Sequence, residues 1–215
     1  KAPVVFPEGP HPPAQAPRIR PHQTHYAPAN RDESWIGSPV HLIPRLKQWI
    51  ASEYPGTGLA ITEYNWGGEK DASGAVALAE VLGVYGRQGV DVATYWTYPP
   101  PNSPAGAAFR IYRNFDGKGA TFGDVSLAAR SSKPGVAVFA ARQSTRQEVD
   151  LVLVNESPDQ VASVRLNVGL KGRLTTTAFA VIEGTSTISQ TPVDSLSGGV
   201  KLSPDSVTLV RVVEG

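Results

Sequence analysis

From Trp35 onward, apolar positions recur in two rhythms. In "SPVHLIPRLKQWIASEY", Leu42, Leu46, Trp49 and Ile50 fall at helical spacing, and Pro39 or Pro44 suits a first turn, which needs no amide donor. That stripe assigns Trp49 to the core. "PGTG" breaks the chain, and "LAITEYN" follows as a short apolar run of strand length. "SGAVALAEVLGVYGRQG" returns to helical spacing through Val76, Ala79, Leu82 and Tyr85, with Ser73 as the expected N-cap and Gly89 as the stop. "VDVATYW" reads as a second strand and "AGAAFRIYRNF" as a further helix. Helix, strand, helix, strand with short links is the grammar of a parallel sheet joined by crossover helices.

After "DGKGATFGD", which is turn chemistry throughout, the helical rhythm stops. "GVAVFAAR", "EVDLVLVN", "VASVRLNV", "LTTTAFAVI", "GVKL" and "SVTLVRVV" recur between Gly, Ser, Asp, Asn and Pro at about the spacing of an antiparallel β-sandwich, with alternation at Val149, Leu151 and Leu153 and at Val207 and Leu209. Ahead of Trp35 the run "FPEGPHPPAQAPRIRP" is too rich in proline for regular structure. The chain therefore divides into an irregular segment (1–34), a parallel α/β part (35–123) and a β-sandwich (124–215). No long internal repeat of the solenoid kind is present.

Composition narrows the class. Lys plus Arg number 20 against 19 Asp plus Glu in 215 residues, so no net field draws nucleic acid or anionic lipid, and a neutral partner is expected. No run reaches the ~18 to 20 apolar residues of a membrane span, and no signal peptide is visible. Cysteine is absent, which excludes disulfides and thiolate metal sites. Methionine is absent too, so a processed chain or a fragment is expected. His11, His22 and His25 sit on the proline-rich segment without carboxylates at ligand spacing, and they read as solvated loop residues rather than a metal site.

The candidate chemistry lies where strands end. Strands joined by a right-handed crossover lie side by side, and the C-terminal edge of a parallel sheet gathers the loops that bind ligands. Glu63 is near that edge of the first strand and Trp96 at that edge of the second. A carboxylate can attack an oxocarbenium-like centre while an indole covers the apolar face of a pyranose. A solvated glutamate beside a tryptophan in a helix–sheet seam would leave the same trace. "NWGG" favours the site, since paired glycines let backbone approach a ligand. Trp66 and Trp35 are further candidate platforms.

"YPGTGLAITEYNWGGEKDASGAVALAEVLGVYGRQGVDVATYW" and "AAFRIYRNFDGKGATFGDVSL" resemble the C-terminal part of the barrel, and its exit into a β-sandwich, in family 44 glycoside hydrolases. The resemblance covers most of residues 35–130 and fades in the sandwich. It implies the last strands of a (β/α)8 barrel followed by a β-sandwich, in a retaining endo-β-1,4-glucanase or xyloglucanase that is secreted and needs no cofactor or metal. It makes Glu63 the nucleophile and Trp96 part of the sugar site. It also makes Trp35, from "ESWIG", a stacking residue; Tyr64 and Trp66, next to Glu63 in the chain, are further candidate substrate contacts.

The family's general acid belongs to an Asn-Glu-Pro motif that this chain lacks. Nothing marks Glu8, Glu33, Glu69 or Asp71 as its replacement, and Glu69 and Asp71 read as capping or solvating the following helix. A whole barrel takes about 250 residues. The implied partners are a β-glucan and the N-terminal half of the barrel, and the isolated chain is expected to be inactive. The rival class is a carbohydrate-binding protein that uses Trp35, Trp66 and Trp96 without turnover.

Overall fold

The computed structural model describes residues 41–215 apart from 172, 182–184, 194–195 and 197. The proline-rich segment with Glu8, His11, His22, His25, Glu33 and Trp35 lies outside the described residues.

Helix α1 (Leu42–Glu53) carries Pro44 in its first turn and buries Ile43, with Leu46 and Ile50 packed beside it. Trp49 departs from expectation: it is 55% exposed. Successive residues turn by about 100°, so Ile43, Leu46 and Ile50 share a narrow arc and Trp49 stands outside it.

Strand β1 (Ala60–Tyr64) pairs in parallel with β2 (Val92–Tyr95), and α2 (Ala72–Gln88) is the crossover between them. The N-cap of α2 is Asp71, not Ser73: its carboxylate accepts the Ser73 amide at 2.9 Å. A carboxylate outcompetes a hydroxyl here because it also meets the positive end of the helix. Gly89 ends α2 at φ 62. Helix α3 (Pro104–Arg113) starts from Ser103, whose Oγ accepts the Gly106 amide at 3.1 Å, with Pro104 in the first turn.

Beyond the 116–124 turns, β3 (Val125–Leu127), β4 (Val136–Arg142), β5 (Glu148–Asn155), β7 (Leu174–Val181), β8 (Ile188–Pro192) and β10 (Ser206–Glu214) form one six-stranded antiparallel sheet. Its order is β3-β4-β5-β10-β7-β8. β6 (Ala162–Val164) and β9 (Val200–Leu202) pair separately. The large sheet is covered on both faces. Val149, Leu151, Leu153, Val210 and Val212 pack against Ala162, Val200 and Leu202 of the small sheet. Phe139, Val152, Val154, Phe179 and Leu209 join α1, α2 and α3 in a second core. Helix α2 reaches that face because Gly83 has no side chain: a Cβ there would come within 2.4 Å of the Phe139 ring. Strands β3 and β8 carried no clear sequence signal, and only three residues of "VASVRLNV" are strand.

One polar knot ties the 114–122 turns to this sheet. Asp150, fully buried, accepts from Arg211 at 2.7 and 2.8 Å. The same guanidinium lies 4.7 Å over the Phe115 ring and donates to the Thr121 carbonyl at 3.0 Å. Its remaining nitrogen meets Glu148 at 3.3 Å.

Candidate active site

The pairing of β1 with β2 slips at the position that matters. Ile61 is opposite Ala93 and Tyr64 is opposite Tyr95, so three steps of β1 match two of β2. Strict alternation would put Glu63 on the same face as Ile61, against the helices. The extra residue instead gives that face to Tyr64, which is only 7% exposed, and leaves Glu63 on the open face. Re-aiming a side chain is a recurrent use of a bulge.

Trp96 follows β2 on the same face as Val92 and Thr94 and is 51% exposed. Its amide donates to the Tyr64 carbonyl at 2.9 Å. Glu63 and Trp96 therefore share one rim, an open carboxylate beside an open indole. Tyr64 and Trp66 are placed differently. The Tyr64 ring lies 5.4 Å from Trp66, 5.3 Å from Tyr85 and 5.3 Å from Tyr95, forming an aromatic layer beneath the rim. Burial pushes the Tyr64 phenol up to about 12, so it stays neutral. Trp66 is half-buried against it, and Trp35 lies outside the described residues.

Asn65 escaped the sequence reading of this rim, and Glu69 was read there only as capping or solvating α2. Asn65 donates from Nδ2 to the Trp96 carbonyl at 2.9 Å and to Glu69 Oε1 at 3.0 Å, with Thr97 Oγ1 at 3.4 Å. Its Oδ1 accepts the Gly67 amide. The Asn-Trp-Gly sequence was the available signal, because asparagine readily bonds the backbone two residues on. Glu69 does not cap α2. It accepts from Asn65 and from the Tyr95 hydroxyl at 3.3 Å, and its carbonyl accepts the Ala105 amide of α3 at 3.1 Å. Burial raises its pKa, but the bonds from Asn65, its own backbone and Tyr95 outweigh burial and hold it below the usual carboxylate range. The turn between them is tight: Gly67 and Gly68 have φ 72 and 66, and a Cβ on Gly74 would come within 2.0 Å of the Gly68 carbonyl oxygen. Thr97 has φ 64, a strained conformation for a β-branched residue.

A general acid needs a raised pKa, and Glu69 has a lowered one. Glu80 does have a raised pKa, about 8, through burial and the neighbouring Glu156, but it sits on α2 rather than on the rim. No cluster of three metal-ligating side chains occurs among the described residues. A groove between α2 and β4, lined by Leu82, Arg87 and Phe122, lies away from Glu63.

No family model matches the chain. It is 36% identical over 151 residues to endoglucanase A of Paenibacillus lautus, a match covering 67% of this chain and 22% of that protein. Among solved structures, CelM2, a bifunctional glucanase-xylanase from a metagenome library, superposes with TM-score 0.80 at 34% identity, covering 91% of this chain and 39% of CelM2. A Paenibacillus polymyxa xyloglucanase of glycoside hydrolase family 44, also solved with xyloglucan, gives TM-score 0.79 at 32% identity over 90% of this chain and 40% of its own. The chain thus spans well under half of the proteins it matches. Nearly all of its own length nonetheless follows their fold at an identity above the range where only the fold is shared, and it belongs to glycoside hydrolase family 44, matching the C-terminal region of those enzymes.

Proposed function

We propose that this chain is the nucleophile-bearing part of a retaining hydrolase of β-1,4-glucans. The observation that carries the reading is the bulge in β1, which turns Glu63 onto the open face that Trp96 also occupies. In this reading β1, α2 and β2 are the closing elements of a (β/α)8 barrel within 35–123, and 124–215 is its accessory sandwich. Glu63 attacks the anomeric carbon and forms a covalent glycosyl-enzyme. A second carboxyl about 5 to 5.5 Å away protonates the departing oxygen and then activates water. Trp96 stacks on the sugar, Trp35 adds a platform, and Tyr64 with Trp66 supports the rim from below. The xyloglucan bound to the Paenibacillus polymyxa relative supports a β-1,4-glucan backbone as substrate. A polymer of that size is met outside the cell, so the site works there.

A non-catalytic sugar-binding role is the second reading, favoured by the ionised state of Glu69, the other carboxylate of the rim. Azide rescue separates the two. In an enzyme carrying the complete barrel, Glu63→Gly should lose turnover by roughly 10⁴-fold or more. Azide should restore it with formation of the inverted glycosyl azide, since the anion enters from the vacated face. A Glu63→Gln variant that keeps most activity would overturn the assignment.

A further inference from the structure

Both backbone polar groups of Trp96 are held by the end of β1: Tyr64 O accepts its amide and Asn65 Nδ2 donates to its carbonyl. No ring–ring stacking pairs the exposed indole with another aromatic among the described residues, so its aim follows from its backbone. We propose that Asn65 is a positioning residue that sets Trp96 relative to Glu63, resting on the reading of Glu63 and Trp96 as the sugar site.

Three features converge on that role. Trp96 O, Glu69 Oε1 and Thr97 Oγ1 all lie within 3.4 Å of Nδ2, which has only two hydrogens, so one amide links the ends of both strands to the glycine turn. Glu69, held ionised, can only accept, which fixes the amide with Nδ2 toward it and Oδ1 toward the Gly67 amide. Thr97 sustains φ 64 directly after Trp96. Such a conformation persists only where the surroundings determine it, and here the Asn65 bonds on either side of that peptide do so.

A double-mutant cycle tests this in an enzyme carrying the complete barrel, with cellotetraose as substrate and melting temperature measured alongside. Asn65→Asp is isosteric and keeps the acceptor for Gly67, but it replaces the donor facing Trp96 O and Glu69. It should lower kcat/KM by about tenfold or more, the scale on which small misplacements act. In a Trp96→Ala background the same substitution should cost less than about twofold, because the residue it positions is gone. Asn65→Ala, which removes the donor without adding charge, should show the same collapse and keeps the test open should Asn65→Asp melt far below wild type. Losses that simply add in the double variants would overturn the positioning role while leaving the site intact. Trp96→Ala with unchanged kcat/KM would overturn the site reading itself, and the positioning role with it.

Discussion

In the six-stranded sheet the central strands are paired on both edges, and both faces are covered, by β6–β9 on one side and by the helices on the other. In the β1–β2 pair one face rests on α2, while the other carries Glu63, Thr94 and Trp96 into solvent. The first sheet alternates cleanly and its buried Asp150 is matched by a bidentate Arg211. The second has a bulge, a left-handed threonine and an asparagine bridging three acceptors. Regular pairing makes a scaffold whose two faces are filled by packing. The irregular pair is incomplete by itself, and its irregularities aim side chains instead of filling space.

That contrast breaks most sharply if the irregular pair works without further strands. The purified chain should show no measurable hydrolysis of xyloglucan or carboxymethylcellulose, because proton donation contributes about 10² to 10⁴-fold. Co-expression with the N-terminal half of a family 44 barrel should restore activity. Robust turnover by the chain alone would show that its own carboxylates suffice.

The next effect belongs to the scaffold. Arg211→Ala leaves Asp150 buried and uncompensated, which should cost about 3 to 5 kcal/mol and lower the melting temperature by roughly 6 to 20 °C. Oligosaccharide affinity of the folded protein should stay unchanged, since this knot lies against the large sheet. A parallel loss of affinity at temperatures where the variant is folded would mean that the two regions are coupled through the 114–122 turns.

A smaller effect depends on pH. Glu80 is pushed up to about 8 by burial and by Glu156, and its Oε2 has no hydrogen-bond partner among the described residues. Its folded pKa exceeds the unfolded value of about 4.3, so the folded state holds the extra proton between the two. The stability it contributes is fully present below about 4.3 and is lost as pH rises toward 8. Glu80→Gln should therefore raise the melting temperature little at pH 4 and by several °C, on the order of 1 kcal/mol or more, at pH 8. An equal gain at both pH values would locate the effect in packing rather than ionisation.

The strands of the large sheet were legible as apolar runs of strand length between turn residues, because both faces are buried along β5 and only Asp150 interrupts Val149 to Val154. Helix α2 was legible through spacing and caps, with both Ser73 and Asp71 read as capping it, and only geometry separates the two because both side chains are good caps; α3 was legible as a helix, but its Ser103 cap was not. Trp49 was misplaced because a helical stripe read without its neighbours has no defined centre. In the site, the sequence by itself determined that Glu63 and Trp96 stand near the C-terminal ends of successive strands joined by a helix, and the pairing made those strands parallel neighbours. Only the tertiary structure decided which way Glu63 points. A bulge exists as a mismatch between two strands, and neither strand alone records it. The same holds for Asn65 and Glu69: their bonds to Trp96, Thr97 and Tyr95 span 26 to 32 residues, and hydrogen bonds across such distances leave no periodic mark along the chain.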